Sequence, residues 1–262
     1  MGWLEGKYIV IIGGTSGIGL SAACACVREG ARVVVVGRKQ SQVDETLQQL
    51  KERARGFSGD AGEEGVAEKA IDLCVREFGS FDGLYHVAGG SGRKLGDGPL
   101  HDMTVDAWNQ TLHLNLTSLM LSNRAAIRQF IALGKGGSIL NISSVLSYSP
   151  SPQHFITHAY AAAKSAVHGF TRSLAATYAT QNIRVNTLTP ALIETPMSQR
   201  AAGDEQIQHF IKTKQPLDGG RMGLPQDLDG AAVYFLSDAS RFTTGQMLTI
   251  DGGWDLSEGQ YR

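Results

Sequence analysis

Short apolar runs alternate with longer amphipathic stretches along almost the whole chain. KYIVIIG (7–13), RVVVVG (32–37), FDGLYHVAG (81–89), GGSILNISS (136–144), IRVNTLTP (183–190) and QMLTIDGG (246–253) predict strands, and GFSGD (56–60) ends another. These runs are apolar throughout, the mark of strands covered by helices on both faces, as in a parallel sheet. Between them the patterning predicts helices over 19–31 (ending at Gly30), 40–54, 63–79, 104–133, 159–180 and 224–238. Seven strands alternating with helices predict an α/β chain with a doubly wound, seven-stranded parallel sheet. No linker, repeat or low-complexity segment divides it, so one domain is expected over 1–262. The least regular regions, 89–103, 145–158 and 190–224, each follow the C-terminal end of a strand, where such sheets bind ligands. They are the expected substrate loops.

Composition narrows the function classes. The 262 residues are 42% hydrophobic, enough for a sizeable core, and the net charge of −1 favours neither nucleic acid nor an anionic membrane. The start, MGWLEGKYIVIIGG, lacks the long apolar run of a signal peptide, and Gly6 stands where myristoylation needs Ser or Thr. No stretch of about 18 apolar residues suggests a membrane span. Cys24, Cys26 and Cys74 are odd in number and lack zinc-knuckle spacing, so reduced, partly buried thiols and a cytoplasmic protein are expected.

IIGGTSGIGLSAA supplies the first chemistry. Gly13, Gly17 and Gly19, with Ser16 and Ile18 among them, lie between the first strand and the first helix. Glycines there let the backbone turn tightly and approach a pyrophosphate, and the helix N-terminus offers free N–H groups. With the strand–helix alternation this predicts a Rossmann fold holding a dinucleotide. An NAD site ordinarily has Asp or Glu at the end of the second strand. Here Gly37, Arg38 and Lys39 stand in that place. With no carboxylate to repel a 2′-phosphate and a guanidinium to bind it, NADP(H) is favoured, with NAD(H) possible.

Tyr160 and Lys164, in YAAAK, fall at i and i+4 on one predicted helix face. A free phenol has a pKa of about 10 and is a poor base near neutrality; a nearby ammonium favours the phenolate. The pair is weak alone, but it does not stand alone. The turn at Gly13, HVAG (86–89), LNL around Asn115, NISS (141–144), YAAAK, IRVNTLTPALIETPM (183–197), GRMGLP (220–225) and TGQMLTIDGGW (244–254) resemble, in order and spacing, the short-chain dehydrogenase/reductase family.

The resemblance implies a catalytic tetrad of Asn115, Ser144, Tyr160 and Lys164. Tyr160 would exchange the proton with the substrate oxygen, Lys164 would tune it and bond the nicotinamide ribose, and Ser144 would orient the substrate. Asn115 would hold a water linking Lys164 to solvent, and Ser143 would be structural. Cofactor contacts would come from Gly13, Ser16, Gly17, Ile18, Gly19, Arg38, Asp60 (at the adenine), Ala88, Gly89, Tyr160, Lys164, Pro190, Ile193 and Thr195 (at the carboxamide). The implied reaction interconverts a carbonyl and a secondary alcohol by hydride transfer, with ketone reduction by NADPH the leading form. Enoyl-thioester reduction and a non-catalytic, cofactor-binding regulator are the alternatives. The implied partners are a small carbonyl or alcohol substrate and further copies of the chain, as a dimer or tetramer.

Some positions depart from the family pattern. His86 and Val87 replace two asparagines that tie the central strands, Ile12 replaces a frequent Thr, and Ala191 a frequent Gly. The approach from Ser144 to Tyr160, through YSPSPQHF, is longer than usual. His154 and His158 lie in it and are candidates for the substrate entrance. None of His86, His154 and His158 has metal-ligand spacing with other His, Cys or carboxylates, so no metal is expected. Arg93 and Lys94 are candidates for holding an anionic substrate.

Overall fold

The computed structural model describes residues 2–259. Seven strands form one parallel sheet: β1 (Tyr8–Ile12), β2 (Arg32–Gly37), β3 (Ala54–Ser58), β4 (Gly83–His86), β5 (Gly137–Ile142), β6 (Ile183–Pro190) and β7 (Met247–Ile250). Their order is β3-β2-β1-β4-β5-β6-β7, so the chain reverses direction across the sheet between β1 and β4. That switch point opens a crevice at the strands' C-terminal ends.

The helices are α1 (Gly17–Arg28), α2 (Gln40–Leu50), α3 (Val66–Phe78), α4 (Val105–Leu112), α5 (Ser118–Ala132), α6 (Ala159–Tyr178), α7 (Gln199–Ala202), α8 (Glu205–Lys214) and α9 (Asp229–Leu236). Alternate strand residues face opposite layers. Ile9, Ile11, Val33 and Val35 pack with α1 and α9, whereas Val10, Ile12, Val34 and Val36 pack with α3 and α5. This explains the uniformly apolar strands: both faces are core. A third cluster, of Val145, Ala201, Ile207, Phe210, Ile211, Met222 and Trp254, joins α7 and α8 to the 145–158 segment and the chain's end.

Four expected elements are corrected. The helix expected over 104–133 is α4 and α5 joined by a π-turn, His113–Thr117. The segment 190–224 is not irregular: it contains α7 and α8, and Asp204 caps α8 by accepting from Gln206 N and Ile207 N. Helix 40–54 stops at Leu50, and Ala54 belongs to β3. The helix expected over 224–238 splits into a 3-10 turn (Pro225–Leu228), α9, and another 3-10 turn from Asp238. Several strands are also shorter than expected; β4 covers only Gly83–His86 of 81–89.

Candidate active site

The glycine turn follows β1 directly. Gly13 has φ +89°, and a Cβ there would meet the Ala88 amide nitrogen at 2.7 Å; its own N–H bonds Val36 O at 2.8 Å. A Cβ on Gly19 would meet the Gly13 carbonyl oxygen at 2.0 Å, so α1 can start this close to β1 only on glycine. Gly17 has φ +49°, and a Cβ there would face Thr195 Cγ2 at 3.1 Å, so the turn and the start of the 190–224 segment share one edge of the crevice. Ser16, extended at φ −161°, precedes α1 without capping it through its side chain. Ile18 packs into the α1 side of the core.

At the end of β2, a Cβ on Gly37 would meet Thr15 Oγ1 at 2.0 Å, so Thr15 fills the space a carboxylate side chain would start from. Arg38 beside it is exposed, with no acid within ion-pair distance among the described residues. Asp60, past β3, accepts the Gly62 N–H at 2.8 Å on one oxygen and keeps the other. A bare-backbone cradle on a helix N-terminus and an uncommitted cation at the second strand end fit a dinucleotide phosphate chain.

The proton-handling candidates lie past β4, β5 and the start of α6. Lys164 is 3% exposed, and its Nζ donates to Ile142 O at 3.1 Å. Burial lowers its pKa to about 8. Its Nζ stands 5.6 Å from the Tyr160 ring centroid. Burial raises the Tyr160 phenol, and hydrogen bonding with Ser144 draws it back. Ser144 Oγ also accepts from Leu146 N at 3.2 Å, which fixes the hydroxyl at the end of β5. Ser143 is structural in its bonding, donating to Lys164 O at 2.8 Å. Of the alanines between Tyr160 and Lys164, Ala163 is buried and Ala162 exposed.

Asn115 sits in the π-turn. Its Nδ2 donates to Gly90 O and Thr111 O, both at 2.9 Å, and its Oδ1 accepts from Gly90 N at 3.0 Å. The wide turn bonds Ser118 N to His113 O, and Ser118 Oγ then satisfies Leu114 O at 2.7 Å. Asn115 has therefore spent both amide donors on the backbone, with one oxygen lone pair left. Its visible work is to lock the 89–90 turn. A Cβ on Gly89 would meet Asn115 Oδ1 at 2.7 Å and Lys164 Nζ at 3.5 Å, so glycine there lets these side chains close in on the turn. Pro190 ends β6 in register with Ile250, and Ile193 is buried and bridged to Gly223. Thr195 is held by its own N–H, which donates to Ser198 Oγ at 2.9 Å.

His86 answers the question raised by the missing asparagine. It is fully buried in register with Asn141, and burial, with Lys164 nearby, lowers its pKa to about 3. Nε2 lies 3.1 Å from Ala88 O and Nδ1 2.7 Å from Ser122 Oγ. A carbonyl only accepts, so the neutral ring carries its proton on Nε2 and accepts the Ser122 hydroxyl. Behind it Asn141 pairs with Asn123 and Thr171, and Thr171 with Thr187.

Sequence reasoning missed Asp97. This loop carboxylate is 3% exposed and accepts His158 N at 2.8 Å, Ala159 N at 3.1 Å and Tyr160 N at 2.8 Å, together with the Thr157 hydroxyl. It caps α6 from outside that helix's own sequence, so no local capping signal announces it. His158 itself is exposed, whereas His154 is buried against Phe210 and Phe155. Among the described residues, no three His, Cys, Asp or Glu side chains gather as a metal site, and no helix is long and apolar enough to cross a membrane.

Comparison with known proteins agrees with this geometry. A family model described as Enoyl-(Acyl carrier protein) reductase matches residues 13–255. The chain is 33% identical to 2-(S)-hydroxypropyl-CoM dehydrogenase 3 of Xanthobacter autotrophicus, over 95% of this chain and 97% of that one. It is 34% identical to 2-dehydro-3-deoxy-D-gluconate 5-dehydrogenase of Escherichia coli, over 96% of each. A solved gluconate 5-dehydrogenase of Burkholderia cenocepacia, in complex with NADP and tartrate, superposes with a TM-score of 0.86 at 30% identity, covering 96% of each chain. With its sheet, glycine turn and Tyr160–Lys164 helix, the chain belongs to the short-chain dehydrogenase/reductase family and is an oxidoreductase interconverting a carbonyl and an alcohol.

Proposed function

We propose that this protein is an NADPH-preferring ketoreductase in which Tyr160 delivers the proton. The observation that carries the reading is the convergence of the Tyr160 phenol, the Ser144 hydroxyl and the buried Lys164 ammonium beside the turn at Gly89. The cofactor, when bound, supplies the hydride. Gly13, Ser16, Gly17, Ile18 and Gly19 would hold its phosphates, Arg38 its 2′-phosphate and Asp60 its adenine. Ala88, Gly89, Pro190, Ile193 and Thr195 would line the nicotinamide half.

Ser144 donates to the substrate carbonyl oxygen and orients it. Tyr160 gives that oxygen its proton as negative charge develops. The Lys164 ammonium, held in a low-dielectric site, makes the phenolate left behind less costly. Asn115 keeps the 89–90 turn and the π-turn in place beside Lys164. In the oxidation direction the same groups run in reverse.

Arg38 and the absence of a carboxylate at the end of β2 support NADP(H) over NAD(H), and the NADP complex of the Burkholderia relative points the same way. The family expectation of a homo-oligomer, dimer or tetramer, working in the cytoplasm completes the reading. Enoyl reduction has one observation in its favour, the description carried by the matching family model. The four-residue step from Tyr160 to Lys164 supports carbonyl chemistry instead. A panel of ketones and enoyl thioesters, followed at the nicotinamide absorbance with NADPH and NADH in parallel, tests both choices. Turnover of ketones with NADPH is expected; turnover of enoyl thioesters alone, or a clear NADH preference, would contradict them.

A further inference from the structure

Each of the three segments at the C-terminal end of the sheet contributes one corner of a cluster of two guanidiniums and a carbonyl. Arg93 lies on the 3-10 turn Arg93–Leu95, four residues after Gly89, which faces Asn115 and Lys164. Arg200 lies on α7, five residues after Thr195. His154 belongs to the long approach to Tyr160. Arg93 Nη2 donates to the His154 carbonyl oxygen at 3.0 Å, and Arg200 Nη2 donates to the same oxygen at 3.1 Å.

Two guanidiniums on one neutral acceptor is an unfavourable arrangement by itself. Arg93 is half-buried, and both burial and the charge of Arg200 lower its pKa. No carboxylate lies within ion-pair distance of either arginine among the described residues. Asp97 is near enough to favour the Arg93 charge in part, though its oxygens bond Thr157 and the amides of His158, Ala159 and Tyr160 and neither guanidinium. Arg200 is further held by the Phe155 ring, 5.9 Å from its guanidinium carbon. Each guanidinium has five N–H donors and uses one on His154.

We infer that Arg93 and Arg200 form a carboxylate-binding site at the rim of the crevice, and that the substrate is a keto acid or hydroxy acid. The inference rests on the carbonyl–alcohol reading above and deepens it. A carboxylate between the two forks would cancel the repulsion and take up the donors left over. The approach loop before Tyr160 is then a support: it brings the His154 carbonyl to where both arginines meet it. Lys94, the other basic residue of that turn, is exposed and outside this cluster.

Two measurements test the site separately from the reaction. In calorimetry on the full-length protein saturated with NADP, malonate should bind and uncharged malonamide should not. The double variant Arg93→Gln/Arg200→Gln should weaken malonate about tenfold or more, and Arg93→Lys/Arg200→Lys, which keeps the charge but not the forks, should fall between. In turnover, a keto acid should be reduced with a higher kcat/KM than its methyl ester, and that preference should collapse in the double glutamine variant. Equal binding of malonate and malonamide, malonate affinity unchanged in the double variant, or an acid-to-ester preference that is absent or survives it would overturn the carboxylate site. Reduction of neutral ketones with no malonate binding would sink this inference and leave the ketoreductase reading standing. Arginine-dependent malonate binding with no carbonyl compound reduced would leave the carboxylate site standing and sink the ketoreductase reading, and with it the keto-acid substrate.

Discussion

The carboxylate of Asp97 accepts the backbone N–H of Tyr160 at 2.8 Å, with the amides of His158 and Ala159 on the same side chain. A negative charge at a helix N-terminus is favourable through the unpaired amides and the helix dipole. Here it also ties the β4 loop to the first turn of α6, and so sets where the phenol stands relative to Ser144. Asp97→Ala leaves three buried or part-buried amides without their acceptor and should cost about 2–4 kcal/mol in denaturant unfolding. Asp97→Asn keeps one acceptor oxygen and should be milder. If the residue positions Tyr160, the asparagine variant should lower kcat more than it raises the KM for NADPH. A variant as stable and as active as the parent would show that α6 holds its own start.

His86 makes stability depend on pH. The folded ring has a pKa lowered to about 3, whereas the unfolded ring titrates near 6.5. The unfolded chain therefore binds the extra proton first as pH falls. The contribution of His86 to stability is fully present above about pH 6.5 and is lost progressively as the pH falls toward 3. Urea unfolding at pH 7 and pH 5 should differ, and His86→Asn should flatten that difference. NMR of the native ring at pH 5 should show a neutral imidazole protonated at Nε2; an imidazolium there would contradict the assignment.

Lys164 works in the same sense at higher pH. Its folded pKa of about 8 lies below the ordinary 10.5, so the folded state releases its proton earlier. Stability from this group is fully present above pH 10.5 and is lost as the pH falls through about 8, by roughly 3 kcal/mol in total. Lys164→Met should remove that slope, along with most of the activity. Carbon-detected NMR of the lysine side chain in the cofactor-free protein should give a midpoint near 8; a midpoint above 10 would mean the ammonium is better solvated than its burial implies.

The glycine cradle predicts a sharp loss. Gly19→Ala puts a methyl group 2.0 Å from the Gly13 carbonyl oxygen, so β1 and α1 must separate. NADPH affinity, read by fluorescence, should fall by more than about tenfold, with near-native circular dichroism. Unchanged affinity would mean that the cofactor does not use this turn.

Much of this was legible in the chain itself. Uniformly apolar strands announced a sheet covered on both faces, and Gly13, Gly17 and Gly19 announced a turn where side chains cannot fit, as the approaches to Ala88 and Gly13 O confirm in distances. What stayed hidden was non-local or masked by a longer pattern. The pattern over 104–133 gives no sign of the π-turn, where Asn115 donates to Thr111 O from the side. Helix α8 carries a readable signal, Asp204 before Ile207, Phe210 and Ile211, but it is flanked by breakers, Gly203 on one side and Pro216, Gly219 and Gly220 on the other. Asp97 and the meeting of Arg93 with Arg200 depend on loops that only tertiary folding brings together.

In the proposed reaction everything turns on Tyr160 giving the proton in carbonyl reduction. The most direct measurement compares NADPH consumption by the parent and by Tyr160→Phe across one ketone and keto-acid panel, with NADPH binding measured alongside. The parent should consume NADPH, Tyr160→Phe should bind it within a few-fold of the parent, and kcat/KM should fall by about 10²–10⁴. Undiminished turnover by Tyr160→Phe would contradict it.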